Sequence, residues 1–505
     1  MFDLIIKNAT VIDGTGAEGF RGDVALRDGK IAAVGTVSGN AKRILDATGL
    51  VLSPGFVDSH SHGDIPLPAN RDPHEALEQG ITFSVTGHCG GSLVPSVKNG
   101  SVQELMDQFQ DRPIATSYGL LVGHGTLRLQ IAGRENRKLT AQELSQMVKL
   151  LETCMDSGAM GMSLGLIYTP GSYADMEELT ALAKAVGRKG GILTSHIRNE
   201  SDELLEAAEE FISLCEVSGC KGVISHLKAA DKVNHGKVRQ VLDLVEQAAA
   251  RGVEIYADAY PYRASSTTLQ SRFVPRQFHP PGTTNVNDLL QDPELCEKIK
   301  TWAREKWGED LSWVLVTRCP AIPEYVGKTM NEIAQAMGIS DRYEAVLSLL
   351  RQTKGNCGAC FTMMCEEDVR CALAHPRVMV GCDSNMGSSV TQYHPRRVGT
   401  FPRVLGRYVR EQKLTTLPEM IRKITALPAQ VYGLQHKGYV KVGFDGDLCL
   451  FDPETIRDTA DYVNCSSPNQ GMRYVILGGQ VVVEEGRYNG TRAGKLYRRS
   501  ELHDA

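Results

Sequence analysis

Along this chain, short apolar runs alternate with longer helix-like stretches, and several runs stop on a residue able to bind a metal or move a proton. Ile81-Thr82-Phe83-Ser84-Val85-Thr86 leads into Gly87-His88-Cys89-Gly90, and Gly191-Ile192-Leu193-Thr194-Ser195 into His196. Lys221-Gly222-Val223-Ile224-Ser225 leads into His226-Leu227-Lys228, and Val378-Met379-Val380-Gly381-Cys382 into Asp383. Runs of this length, rich in β-branched residues, predict buried parallel strands. An earlier run, Val51 to Val57, ends in Asp58-Ser59-His60-Ser61-His62. A strand there puts residues i and i+2 on one face, so both imidazoles reach one metal ion. The pattern predicts an α/β fold, a (β/α)8 TIM-like barrel, whose strand carboxyl ends converge on one mouth where catalysis sits.

The residues expected to meet at that mouth are His60, His62, Cys89, His196, His226 and Asp383. Any one has an ordinary structural explanation: a buried histidine bonded to a carbonyl, a cysteine packed as a small apolar group, or an aspartate capping a helix. Six of compatible ligand type, all at strand ends, argue for a shared site. Imidazole, thiolate and carboxylate are zinc ligands, and three protein ligands with an open fourth position mark a catalytic site. Zinc is expected, held chiefly by Cys89, His196 and His226. Water on such an ion has its pKa lowered to about 7, and Asp383 is the candidate base that takes its proton.

The ends of the chain follow a different rhythm. Residues 2–13 and 22–35 show strand alternation with tight-turn signals, and the tail repeats it around Gly446-Asp447 and Gly478-Gly479. One small β-domain built from residues 1–53 and 433–505 is expected beside a barrel spanning 54–432. From about 263 to 345 the alternation breaks down, with Pro275, Pro280, Pro281 and Pro293, a loop-like 283–288, and Trp302 and Trp307. This stretch reads as an insertion after a barrel strand, either a lid over the mouth or inert decoration.

With these residues in place, the chain resembles the amidohydrolase superfamily, and within it the D-aminoacylase (N-acyl-D-amino-acid deacylase) family. The resemblance rests on Pro-Gly-Phe-Val-Asp-Ser-His-Ser-His, Gly-His-Cys-Gly, Ser-His-Ile-Arg-Asn-Glu, Ile-Ser-His-Leu-Lys and Asp-Ala-Tyr-Pro-Tyr. It extends to His394-Pro395-Arg396, Gly399 to Gly406 and Gly446 to Pro453. It implies hydrolysis of the amide of an N-acyl-D-amino acid to a carboxylate and a free D-amino acid. It further implies one tightly held zinc at Cys89, His196 and His226, a second, weaker metal position lined by His60 and His62, and Asp383 as catalytic acid/base. Many members of the superfamily bridge two metals with a carbamylated strand lysine. The segment Gly158 to Leu166 carries none, so Cys89 is expected to supply the anionic ligand.

A substrate α-carboxylate calls for cations or hydroxyls, which Lys228, Tyr260 and Arg396 offer beside the predicted ligands. The resemblance assigns substrate binding to these three and to Tyr168. Taken alone, the charges would pass as solvated loop residues and the tyrosines as core-edge aromatics. The chain departs from the family pattern after Asp383, where Ser384-Asn385-Met386-Gly387-Ser388 replaces a glycine followed by Leu-Pro-His, and at His88, where asparagine is usual. Neither departure removes a ligand, and both are placed to reshape the pocket.

Length and charge leave this picture standing. The 505 residues accommodate a barrel of roughly 250 residues or more plus a smaller domain. A net charge of -5 offers no nucleic-acid footprint, and no run reaches the ~20 apolar residues of a membrane span. With no leader segment and thirteen scattered cysteines, the chain is expected to be cytoplasmic with reduced thiols, Cys357 and Cys360 included, acting as a monomer or homo-oligomer on a small molecule. Two rival readings are a cyclic amidase of the dihydroorotase or hydantoinase type, opposed by the missing strand lysine, and an inactive binding protein, opposed by the complete ligand set.

Overall fold

A computed structural model describes residues 1–283, 285–385, 394–462 and 464–502. Strands Phe56–Asp58, Ile81–Thr86, Ser117–Gly123, Gly161–Gly165, Ile192–His196, Lys221–Ile224, Ile255–Ala259 and Val378–Val380 lie side by side in chain order, all parallel. The last meets the first: Ser59 N donates to Val380 O (3.4 Å), Asp383 N donates to His60 O (2.8 Å), and Ser61 bridges Ser384. The strands thus close into the (β/α)8 barrel.

Period-two alternation sends neighbouring residues of each strand into separate cores. Phe56, Leu120, Val122, Leu193, Ile224 and Val380 face the surrounding helices. Val57, Phe83, Leu121, Ile192, Val223 and Met379 point inward, where Leu427, Val431 and Tyr432 of helix Ala426–Tyr432 close the floor of the barrel.

Both ends of the chain join one sheet. Its central pairing is Val51–Pro54 with Leu448–Phe451, Leu52 lying opposite Leu450, and Phe2–Val11 extends it on the other side. Two hairpins are closed by the tight turns Asp28-Gly29 and Gly478-Gly479. All four turn residues have positive φ, the geometry whose twist suits a two-residue hairpin.

The apolar run at Val51 does not form one strand. Val51–Pro54 belongs to the terminal sheet and Phe56–Asp58 to the barrel, and an added Cβ at Gly55 would collide with Thr82, so the chain passes between the two units at a position with no side chain. His60 and His62 consequently lie beyond the strand end rather than on its face.

After the seventh barrel strand comes a unit with regular structure of its own, where the sequence pattern read as broken. Strands Ala264–Thr268, Gly358–Thr362 and Val314–Arg318 pair antiparallel in that order, and helices including Pro293–Trp307 and Arg342–Thr353 cover them. Phe273, Ile299, Val316, Ile333, Tyr343 and Leu350 fill a separate core. The closing strand carries this unit past 345 to Thr362. Part of the loop-like 283–288 is the short helix Val286–Leu289, while Thr284 lies outside the described residues. Asp231 ties the unit to the barrel, accepting from Trp307 Nε1 (3.0 Å), Ser201 Oγ (3.2 Å) and the Arg272 guanidinium. No described helix is long and apolar enough to cross a membrane.

Candidate metal centre

Three barrel strands hand over their chemistry immediately past their ends. Cys89, His226 and Asp383 have φ of 55°, 37° and 48°, a region that non-glycine residues seldom occupy and that concentrates at functional sites. Each turns its side chain over the mouth. There the ligand atoms of Cys89, His196 and His226 lie within 4.8 Å of one another, and so do those of His60, His62, Cys89 and Asp383. Cys89 belongs to both groups, its Sγ 3.4 Å from His60 Nε2 and 3.3 Å from His226 Nε2.

Electrostatics favours the ionised forms of Cys89 and Asp383. Burial opposes ionisation of Cys89, but His60 and His226 outweigh it and hold the thiol well below its ordinary range. Burial likewise works against the Asp383 carboxylate, yet Arg396 and His62 keep it well below the usual carboxylate range. Arg396 Nη1 donates to Asp383 Oδ2 at 2.7 Å, and His62 Nε2 lies 3.2 Å from Oδ1. Both ring nitrogens of His196 are buried without a hydrogen-bond partner among the described residues. A thiolate, imidazoles and a carboxylate, converging at one mouth, fit a zinc-type ion in donor chemistry and in number.

Two carboxylates behind these residues were not singled out from sequence. Asp258 stands 3.2 Å from His60 Nδ1 and accepts from His226 N at 2.7 Å, which turns His60 Nε2 toward Cys89. Glu200 Oε1 lies 3.0 Å from His226 Nδ1 and Oε2 lies 3.5 Å from His196 Nε2. Asp258 is the penultimate residue of the seventh strand and Glu200 follows His196 by four, so position was the available signal. His88, the atypical neighbour of Cys89, is buried with its ring stacked 4.0 Å from that of His60 and its Nδ1 3.4 Å from Thr194 Oγ1.

The mouth opens into a cavity of about 890 Å³ that reaches outward to Arg272, Trp302 and Trp307 of the inserted unit. Nine of the ten site residues expected from sequence line it, and His60 is buried beneath. Lys228 Nζ sits 5.7 Å from the Tyr260 ring centroid and the Arg396 guanidinium 4.8 Å from it. Both cations are already engaged: Arg396 with Asp383, and Lys228 with Glu200 Oε1 at 2.6 Å. The Tyr260 hydroxyl is buried without a partner among the described residues. Tyr168 packs edge-on against His196 at 4.7 Å, its hydroxyl 3.4 Å from Thr267 Oγ1. Of the atypical segment after Asp383, Met386 to Ser388 lie outside the described residues.

Comparison with known proteins places this geometry among relatives. A model described as "Amidohydrolase family" matches residues 319–483. The D-aminoacylase of Alcaligenes xylosoxydans xylosoxydans is 33% identical over 99% of this chain and 98% of its own length. The crystal structure of the N-acyl-D-glutamate deacylase of Bordetella bronchiseptica, complexed with zinc and a phosphonate mimic of the tetrahedral intermediate, superposes with a TM-score of 0.85 at 32% identity, covering 98% of this chain and 99% of that one. A D-aminoacylase crystal structure gives a TM-score of 0.86 at 34% identity, covering 99% of this chain and all of the other.

Proposed function

Because the chain belongs to the D-aminoacylase family of amidohydrolases, we propose that it is a zinc-dependent hydrolase of N-acyl-D-amino acids, releasing a carboxylate and a free D-amino acid. The observation that carries this reading is the clustering of Cys89, His196 and His226 with His60, His62 and Asp383 at one barrel mouth. Cys89, His196 and His226 would hold the principal ion, and His60, His62 and Asp383 with Cys89 a second. The bound metal supplies a Lewis acid and an activated water at neutral pH.

The protein's own groups account for the remaining tasks. Asp383 is ionised and anchored by Arg396, so one of its oxygens stays fixed while Oδ1 faces the metal-binding corner. It takes a proton from the attacking water as the new C–O bond forms, then delivers that proton to the amide nitrogen as the C–N bond breaks. Tyr260, whose buried hydroxyl has no partner among the described residues, and the remaining guanidinium donors of Arg396 receive the α-carboxylate. Lys228 and Tyr168 complete that wall. None of the thirteen cysteines is in a disulfide, which supports a reducing, cytoplasmic setting.

Release of free amine from a panel of N-acetyl-D- and N-acetyl-L-amino acids, with the zinc-loaded protein and a Cys89→Ala control, tests the proposal. D-selective turnover that disappears in the control is expected. Zinc binding without turnover on any linear amide would overturn it.

A further inference from the structure

One carboxylate, Glu200, touches two of the three residues assigned to the principal ion as well as a cation wedged beside them. Its Oε1 is 3.0 Å from His226 Nδ1 and 2.6 Å from Lys228 Nζ, and its Oε2 is 3.5 Å from His196 Nε2. Its backbone is pinned from the next loop, since Ala230 N donates to Glu200 O at 2.7 Å. Lys228 Nζ itself lies 2.7 Å from His226 Nδ1. That ring nitrogen therefore faces an acceptor and a donor together, both nearly enclosed: the side chains of Glu200 and Lys228 are 13% and 4% exposed.

The opposite nitrogen, His226 Nε2, points at Cys89 Sγ, 3.3 Å away. A neutral imidazole offers a lone pair on one nitrogen only, and the hydrogen on the other decides which. For Nε2 to serve as a ligand, Nδ1 must carry the hydrogen and needs an acceptor. An ammonium group has three donors and no acceptor, so Lys228 favours the other tautomer, in which Nε2–H points at the Cys89 sulfur. Glu200 favours the ligand form, and it also engages the Lys228 ammonium at 2.6 Å, taking up one of the hydrogens that would otherwise compete for the ring.

We propose that Glu200 is a positioning residue that selects the metal-binding tautomer of His226 against the competing donor Lys228. This rests on the assignment of Cys89, His196 and His226 as metal ligands. Its consequence is specific: the damage done by losing Glu200 comes largely from leaving Lys228 behind. Removing the lysine should then restore what removing the carboxylate takes away, a pattern that a general packing role for Glu200 does not produce.

The test is zinc affinity by competition with a chromophoric chelator at fixed pH, with zinc alone and no substrate. Glu200→Gln should bind zinc ~10–100-fold more weakly than the unaltered protein, the usual effect of losing a carboxylate behind a ligand histidine. Lys228→Met should bind no more weakly than the unaltered protein. The Glu200→Gln/Lys228→Met double variant should recover most of the loss, because the glutamine oxygen can accept from Nδ1 once the competing donor is gone. Affinity in Glu200→Gln within about twofold of the unaltered protein, or a double variant as weak as the single one, overturns the proposal. Should the Gln variant fail to fold, histidine-nitrogen NMR of the zinc-loaded unaltered protein decides: hydrogen on His226 Nδ1 supports the assignment, and its absence overturns it. Normal zinc affinities without turnover of any N-acyl-D-amino acid would defeat the deacylase reading while leaving this one intact.

Discussion

In the barrel interior beneath the mouth, Val57, Phe83, Leu121, Val223 and Met379 pack with Leu427 and Tyr432, and the Tyr432 hydroxyl donates to the Ser59 carbonyl at 2.9 Å. At the carboxyl ends of the same strands, the His88 Nε2, both His196 ring nitrogens, the Ser195 and Ser225 hydroxyls and the Tyr260 hydroxyl are buried without partners among the described residues. A buried polar group left unpaired costs about 1–3 kcal/mol, and the positive φ values at Cys89, His226 and Asp383 add strain of similar order. The floor is made of apolar contacts that hold the barrel shut. The mouth keeps groups whose missing partners a metal or substrate would supply. Alternation along the strands produces both, because each short strand ends its inward apolar positions just before its chemical residue begins.

The sharpest way to break this contrast is Asp383→Asn. The amide keeps the shape but cannot carry the proton, so kcat should fall by ~10²–10⁴, the range for a general acid/base. Unfolding by denaturant should be changed little, because the substitution removes a charge from a mouth that does not hold the fold together. A kcat close to that of the unaltered protein would remove Asp383 from the reaction. A large loss of stability would show instead that its pair with Arg396 is structural.

This division also explains what could be read from the sequence. Cys89, His196, His226 and Asp383 were legible because each follows an apolar run, and a run marks both the strand and the place where it ends. Glu200 and Asp258 were not, since an acidic residue in a loop or at a strand end looks like any solvated charge until its partner on another strand is known. The left-handed backbone at Cys89, His226 and Asp383 leaves no trace in residue type, and neither does the pairing of Arg396 with Asp383. The split at Gly55 was hidden by an apolar run that continues across two different sheets. The inserted unit was legible as an insertion but not in its internal structure, for a related reason: its strands pair antiparallel with long separations, so the expected strand-to-helix repeat is missing although each element is ordinary.

A second substitution probes the other end. Phe83 is fully buried in the floor, its ring 5.7 Å from that of Tyr497. Phe83→Ala should cost about 3–5 kcal/mol, from lost burial and the cavity left behind. Denaturant unfolding would read this directly, while kcat/KM per folded molecule should stay within about twofold. Activity falling far more than the folded fraction would show that floor packing is transmitted to the mouth, and the two ends would no longer count as separable.

The smallest expected effect concerns a floor residue that titrates. Lys423 is 1% exposed and donates to the carbonyls of Leu373 and His375, both at 2.5 Å, where helix Glu366–Ala374 ends before the last barrel strand. Burial pushes its pKa down to about 7 from 10.5. Between those values the unfolded chain binds the proton and the folded protein does not, so this residue makes stability rise as pH increases from about 7 toward 10.5. Below about 7 the folded protein carries the full cost of a buried charge. Lys423→Met removes that dependence, together with two hydrogen bonds whose loss is independent of pH. The stability difference between the unaltered protein and the variant, measured by denaturant at several pH values, should therefore move in favour of the unaltered protein as pH rises through this window. The pH dependence of kcat/KM should be the same in both. A stability difference that stays flat would mean that Lys423 remains charged in the folded state, its ammonium sustained by the two carbonyls, and the floor would then hold a buried ion as stably as the mouth does.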